Sequence, residues 1–149
     1  MTYLRWIILL PVVIGTYILA WGIPTVIGIP FLYSEMVGDP PGTYEVITHF
    51  FWDWIVHPLA TLFIGVIAAE TSIKTAVFIA PSRQAKTGQV ISVIVLLLAV
   101  GNTVLALISA ANRPMSDTAH AVLYNVSLGG CAVYFVVSPQ ALNTMRGLT

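Results

Sequence analysis

The sequence predicts an all-α integral membrane protein, a bundle of four transmembrane helices, and two observations carry that prediction. First, 58% of the 149 residues are hydrophobic and only 8% are charged, with a mean hydropathy of +0.91. A soluble domain carries about 25% charged residues, mostly on its surface. Second, the apolar residues fall in four runs, each long enough to cross a hydrocarbon layer of about 30 Å at about 1.5 Å per residue.

The runs define a single transmembrane domain, residues 1–149, with spans at about residues 6–29, 46–69, 90–111 and 118–137. The first run is uncharged from Trp6 to Ser34, but glycine and proline recur after Trp21. We therefore expect a kink or an end between Trp21 and Pro30, with the remainder at the membrane interface, and whether residues 22–33 re-enter the membrane stays open. The Asp-Pro-Pro-Gly stretch within residues 34–45 predicts a loop.

The other three spans are bounded by polar residues. Glu70 and Lys74 indicate that the second span ends near Ala69, and a loop is expected at residues 81–89. The third span contains no charge. The fourth follows a short polar turn, in which Ser116 and Asp117 are typical N-terminal capping residues.

The basic residues predict the orientation. With a cytoplasmic N-terminus, five of the six lie on the cytoplasmic side and only Arg113 lies outside. The five are Arg5, Lys74, Arg83, Lys86 and Arg146. The positive-inside rule therefore predicts that both termini are cytoplasmic, in a bacterial plasma membrane or an organellar inner membrane.

The polar residues that could carry chemistry cluster in the second run. His49, Asp53 and His57 follow one another at intervals of four residues, so on an α-helix they share nearly one face. His120 lies near the predicted outer end of the fourth helix, in the same leaflet as His49 and Asp53, and Tyr124 follows one turn further along. We therefore name His49, Asp53, His57 and His120 as candidate metal ligands, because imidazole and carboxylate suit Cu, Zn or Fe.

Three interpretations of this cluster remain open: a metal site, a proton or ion relay, and a polar stripe that hydrogen-bonds neighbouring helices. The residues Asn102, Ser109, Asn112 and Asn125 are likewise predicted to form hydrogen bonds between helices.

Asp53-x-x-x-His57 in a membrane helix resembles part of the copper-binding pattern in the C subunit of particulate methane and ammonia monooxygenases. The likeness covers these two residues, because Glu70 stands where that family has a further histidine. It implies copper as one candidate ion.

The leading functional hypothesis is a small accessory subunit of a larger membrane complex, metal- or redox-linked, surrounded by lipid and by other membrane subunits or copies of itself. The alternatives are a small ion or proton channel or transporter and a membrane metalloenzyme, so whether the chain is an enzyme stays open. The net charge of zero favours no nucleic-acid partner. No phosphate-binding loop, dinucleotide fingerprint or serine nucleophile motif is present.

Overall fold

The computed structural model describes residues 2–28, 51–80, 84–112, 114–138 and 140–141, and these residues are almost entirely helical, with no strand among them. Four α-helices lie among the described residues. They are α1 (Thr2–Ile23), α2 (His57–Ile79), α3 (Gln84–Ser109) and α4 (Met115–Val137). Short π-helical segments, Pro24–Gly28 and Trp52–Val56, extend α1 and precede α2, and a 3₁₀ turn, Ala110–Asn112, follows α3.

Four of the described helical stretches are long and apolar enough to cross a membrane. They are Tyr3–Ile27, Trp52–Ile79, Gln84–Asn112 and Met115–Val137. The prediction of an all-helical chain with four such helices is confirmed for the part of the chain that the structure describes. The predicted start of the second span at residue 46 and the loop at residues 34–45 lie outside the described residues.

Two predicted boundaries differ from the structure. The second helix continues past Ala69 to Ile79, because Glu70 and Lys74 form an ion pair one turn apart on its surface and do not end it. The third helix already begins at Gln84, within the stretch expected to be a loop.

Local sequence features also shape the end of α1 and the start of α4. Beyond Ile23, α1 continues as the π-helical segment Pro24–Gly28, which lies within the stretch from Trp21 to Pro30 where the sequence predicted a kink or an end. At the start of α4, Pro114 occupies the N-cap position, and no side chain caps the helix. The expected capping by Ser116 and Asp117 is therefore wrong: the Ser116 hydroxyl lies 3.5 Å from the Asp117 carboxylate instead.

The central element is α2, which packs against α1, α3 and α4, while α3 also packs extensively on α4. Its close approach to α4 depends on Gly65. A Cβ atom at this position would lie 2.0 Å from the Ser127 Oγ and 2.6 Å from the Tyr124 carbonyl oxygen. The absence of a side chain at Gly65 thus lets the α2 backbone lie directly against the Ser127 side chain and the backbone of α4.

The half of the bundle beyond Gly65 is filled by apolar and small side chains. Ala68, Ile73, Leu128 and Ala132 are fully buried there. The buried Ser72 hydroxyl donates to the Ala68 carbonyl of its own helix at 2.7 Å, which satisfies it without a partner from another helix. This half of the bundle is therefore a closely packed apolar core.

Candidate functional site

Residues of all four helices line an open cavity at the opposite end of the bundle from this core. Its volume is about 750 Å³, within the range of small-molecule sites. We call it the histidine cavity. It is lined by Tyr17, Trp21, Thr25, His57, Thr61, Ile64, Asn102, Leu105, Ala106, Ser109, His120, Ala121, Tyr124 and Asn125.

The local sequence explains why these residues face one cavity. On α1 and its π-helical extension, Tyr17, Trp21 and Thr25 are spaced four residues apart. His57 and Thr61 on α2 have the same spacing, which places side chains on one helix face. The two helices α1 and α2 therefore each turn one face, with polar groups on it, toward the same space.

The most distinctive feature of the wall is a contact between two imidazole rings on different helices. The ring centroids of His57 and His120 are 3.9 Å apart, and the ring planes are inclined by 39°. Both side chains are partly buried. The structure thus brings together two of the four residues that the sequence singled out, one from α2 and one from α4.

His57 is held in place by residues around it. The Trp52 ring is buried at 3% exposure and stacks near His57, with ring centroids 6.3 Å apart. The Thr61 hydroxyl donates to the His57 carbonyl oxygen at 2.8 Å. In addition, the His57 backbone N–H donates to the Trp52 carbonyl, a π-helical bond that ends the preceding segment.

The other two candidate ligands are Asp53 and His49. Asp53 is exposed, and within the described residues it forms no hydrogen bond or ion pair with either imidazole. His49 lies outside the described residues. Among the residues that the structure describes, no group of three or more His, Cys, Asp or Glu side chains could hold a metal ion.

Beyond His120, the cavity wall carries a pair of tyrosines. The Tyr124 hydroxyl donates to the Tyr17 hydroxyl at 3.0 Å, which joins α4 to α1. Because the Tyr17 oxygen accepts this bond, its own proton remains to be donated. Both side chains are partly buried, so the pair places a hydrogen-bonding hydroxyl at the edge of an otherwise apolar surface.

Asn125, next to Tyr124, contributes an unsatisfied acceptor. Its side-chain amide donates to the Ala121 carbonyl of the same helix at 2.8 Å, so the predicted interhelical bond is wrong for this residue. The residue is only 6% exposed, and its Oδ1 atom has no hydrogen-bond partner among the described residues. A buried carbonyl oxygen without a partner costs about 1–3 kcal/mol. A ligand that donates a hydrogen bond here would remove that cost.

Sequence reasoning missed Tyr17, Trp21 and Thr25 as site residues. The sequence feature that could have identified them is their four-residue spacing, which places them on one face of the first helix. The missing information was which faces of the two helices meet. Composition alone does not supply it.

Comparison with protein-family models, with curated protein sequences and with solved structures finds no match to this chain. No relative therefore informs its function, and the chemistry of the histidine cavity has to carry any proposal.

Proposed function

We propose that the protein is a small subunit of a membrane complex in which His57 and His120 bind a transition-metal ion at the wall of the histidine cavity. The observation that carries this proposal is the contact between the two imidazole rings, at 3.9 Å between centroids, on helices that pack side by side. Imidazole nitrogens bind Zn, Cu and Fe, and two of them on facing helices are a common way to hold such ions in a bundle.

The proposed coordination requires both imidazole rings to turn and to move apart from the observed contact. Metal–nitrogen bonds to histidine are about 2.0–2.1 Å long. Each ring therefore has to direct one nitrogen toward a common point between α2 and α4. Two protein ligands leave further coordination positions for water, for a substrate or for a residue outside the described part of the chain. The cavity volume of about 750 Å³ is large enough to admit a small molecule beside the ion.

The alternative of a channel or transporter has less support from the packing. A continuous pathway needs polar or hydrated groups along the whole bundle. In the described residues, the half of the bundle beyond Gly65 is instead filled by Ala68, Ile73 and Leu128, none of which is solvent-accessible. The cavity is therefore one-sided, which favours a site that binds and holds a ligand over a route that conducts one.

Metal titration of the purified protein tests the proposal. We expect one Cu²⁺, Zn²⁺ or Co²⁺ ion to bind per chain, and His57→Ala and His120→Ala each to weaken binding by at least about tenfold. Asp53→Asn is the matched control: it removes an exposed carboxylate from the same helix end without removing an imidazole. Equal affinity in the wild type and both histidine variants would refute the site.

The membrane setting and the complex form the second part of the proposal. Four apolar helices support insertion, and the basic residues favour cytoplasmic termini in a bacterial plasma membrane or an organellar inner membrane. The four candidate spans account for nearly all of the described residues, and no soluble domain lies among them. Native gel electrophoresis after mild solubilisation should therefore show the chain in a larger assembly. A particle of one chain that binds metal and is active alone would contradict the subunit role.

A further inference from the structure

A second cleft lies at the end of the bundle remote from the histidine cavity. It separates the first turns of α1 from the last turns of α2, and its volume is about 1050 Å³. We call it the arginine cleft. The residues on which the argument rests are Arg5, Ile8 and Val12 on α1, Lys74 and Phe78 on α2, and Gln84 at the start of α3.

The charged end of this cleft has two basic side chains, Arg5 and Lys74, which differ in their partners among the described residues. Lys74 forms an ion pair with Glu70, and both side chains are partly exposed. Arg5, in contrast, forms no ion pair or hydrogen bond within the described part of the chain. Because Lys74 and Glu70 compensate each other, the cleft carries a net positive charge at its polar end. A guanidinium in this position suits a phosphate group, which it can bind through two parallel hydrogen bonds.

The remaining wall of the cleft is apolar and continuous with the outer surface of the helices. Ile8 is 41% exposed, Val12 is 40% exposed and Phe78 is 85% exposed. Ile8 and Val12 follow Arg5 along one face of α1, at spacings of three and four residues, so they lead away from the guanidinium along the helix. Phe78 lies on the opposite wall, near the end of α2. The cleft is therefore amphipathic along its length, with positive charge at one end and an apolar wall leading away from it.

We propose that the arginine cleft binds an anionic phospholipid, with the phosphate on Arg5 and an acyl chain along Ile8 and Val12, against Phe78 on the opposite wall. The charge complementarity selects an anionic headgroup, and the length of the apolar wall selects a molecule that carries a hydrocarbon chain. Basic pockets between membrane helices bind anionic headgroups in this way. The lipid would connect α1 to α2 at the end of the bundle where the two helices enclose the cleft. This proposal does not depend on metal binding by the histidines.

Lipid enrichment in nanodiscs tests the proposal. The full-length protein is reconstituted in mixed phosphatidylglycerol and phosphatidylcholine, and the lipid that stays bound after transfer to detergent is identified by native mass spectrometry. We expect phosphatidylglycerol to be enriched on the wild type and the enrichment to fall about fivefold in Arg5→Gln, since each basic residue near an anionic surface contributes about 1 kcal/mol. Lys86→Gln is the matched control, because Lys86 is exposed on α3 and does not line the cleft.

Three outcomes would overturn the proposal. One is equal enrichment in the wild type and Arg5→Gln. Another is an equal loss in Lys86→Gln, which would indicate a diffuse attraction to all basic residues. The third is complete displacement of the lipid by soluble glycerol phosphate, which would indicate a phosphate site that does not use the apolar wall. Thermal unfolding of Arg5→Gln, run in parallel, verifies that the variant is folded, and Phe78→Ser tests the apolar wall independently with the charges intact.

Discussion

Substitution of Gly65 by alanine is the sharpest test of how α2 and α4 pack. A Cβ atom built on Gly65 lies 2.6 Å from the Tyr124 carbonyl oxygen and 3.2 Å from the Leu128 backbone nitrogen. The Tyr124 oxygen belongs to the backbone, so it can retreat beyond 3.0 Å only if α4 moves. The Ser127 hydroxyl, at 2.0 Å, would also have to leave its hydrogen bond to the Tyr124 carbonyl.

The expected cost follows from the overpacking. Extra methyl groups forced into a well-packed interior cost about 1–3 kcal/mol. Gly101→Ala is the matched control, because it makes the same change inside α3, where nothing lies within 4 Å of the new Cβ. There the alanine should be neutral or stabilise the helix by up to about 1 kcal/mol. We therefore expect Gly65→Ala to be less stable than Gly101→Ala by about 1–3 kcal/mol or more.

The assay is thermal or denaturant-induced unfolding of both variants in the same detergent, followed by circular dichroism. A second readout is metal affinity, because His57 lies eight residues before Gly65 on α2 and moves relative to His120 when α4 is displaced. Equal stability of the two alanine variants would refute the close approach of α2 and α4. Lower stability of Gly101→Ala alone would refute it as well.

Three further substitutions test individual contacts. Tyr17→Phe removes the hydroxyl that accepts from Tyr124 and should lower the free energy of unfolding by about 0.5–1.5 kcal/mol. Tyr134→Phe, on an exposed surface, should leave stability unchanged in the same unfolding assay. Equal effects of the two substitutions would contradict the tyrosine pair. Asn125→Leu removes an unsatisfied acceptor, so the free energy of unfolding should stay within about 1 kcal/mol of the wild-type value. A loss above about 3 kcal/mol would indicate a hydrogen-bond partner that the described residues do not supply. Glu70→Gln breaks a partly exposed ion pair and should change stability by less than about 1 kcal/mol; a larger loss would show that the pair anchors α2.

The fold class could be predicted from the sequence because it depends on hydropathy and segment length alone. Four apolar runs in a chain with 8% charged residues can satisfy their backbone groups within lipid only as helices. The ends of the helices could be predicted less well from the sequence. Glu70 and Lys74 suggest the end of a span, yet as an i,i+4 pair they lie on the surface of a helix that continues to Ile79.

The candidate site could be predicted in part. The four-residue spacing and the shared end of the bundle identify His57 and His120, and the structure places their rings in contact. Their pairing depends on the rotation of α2 against α4, which is set by the contact at Gly65, and no local pattern specifies that rotation. Asn125 illustrates the same limit: a polar residue in an apolar helix has to find a partner, but the nearest one was the carbonyl of its own helix.

The measurement that tests the central claim most directly is elemental mass spectrometry of the protein purified from its native membranes, beside the double variant His57→Ala/His120→Ala. The account predicts close to one Cu, Zn or Fe per chain in the wild type and none in the double variant, with both proteins folded. Absence of metal from the wild type, or equal metal in both proteins, would contradict a metal site at the histidine pair.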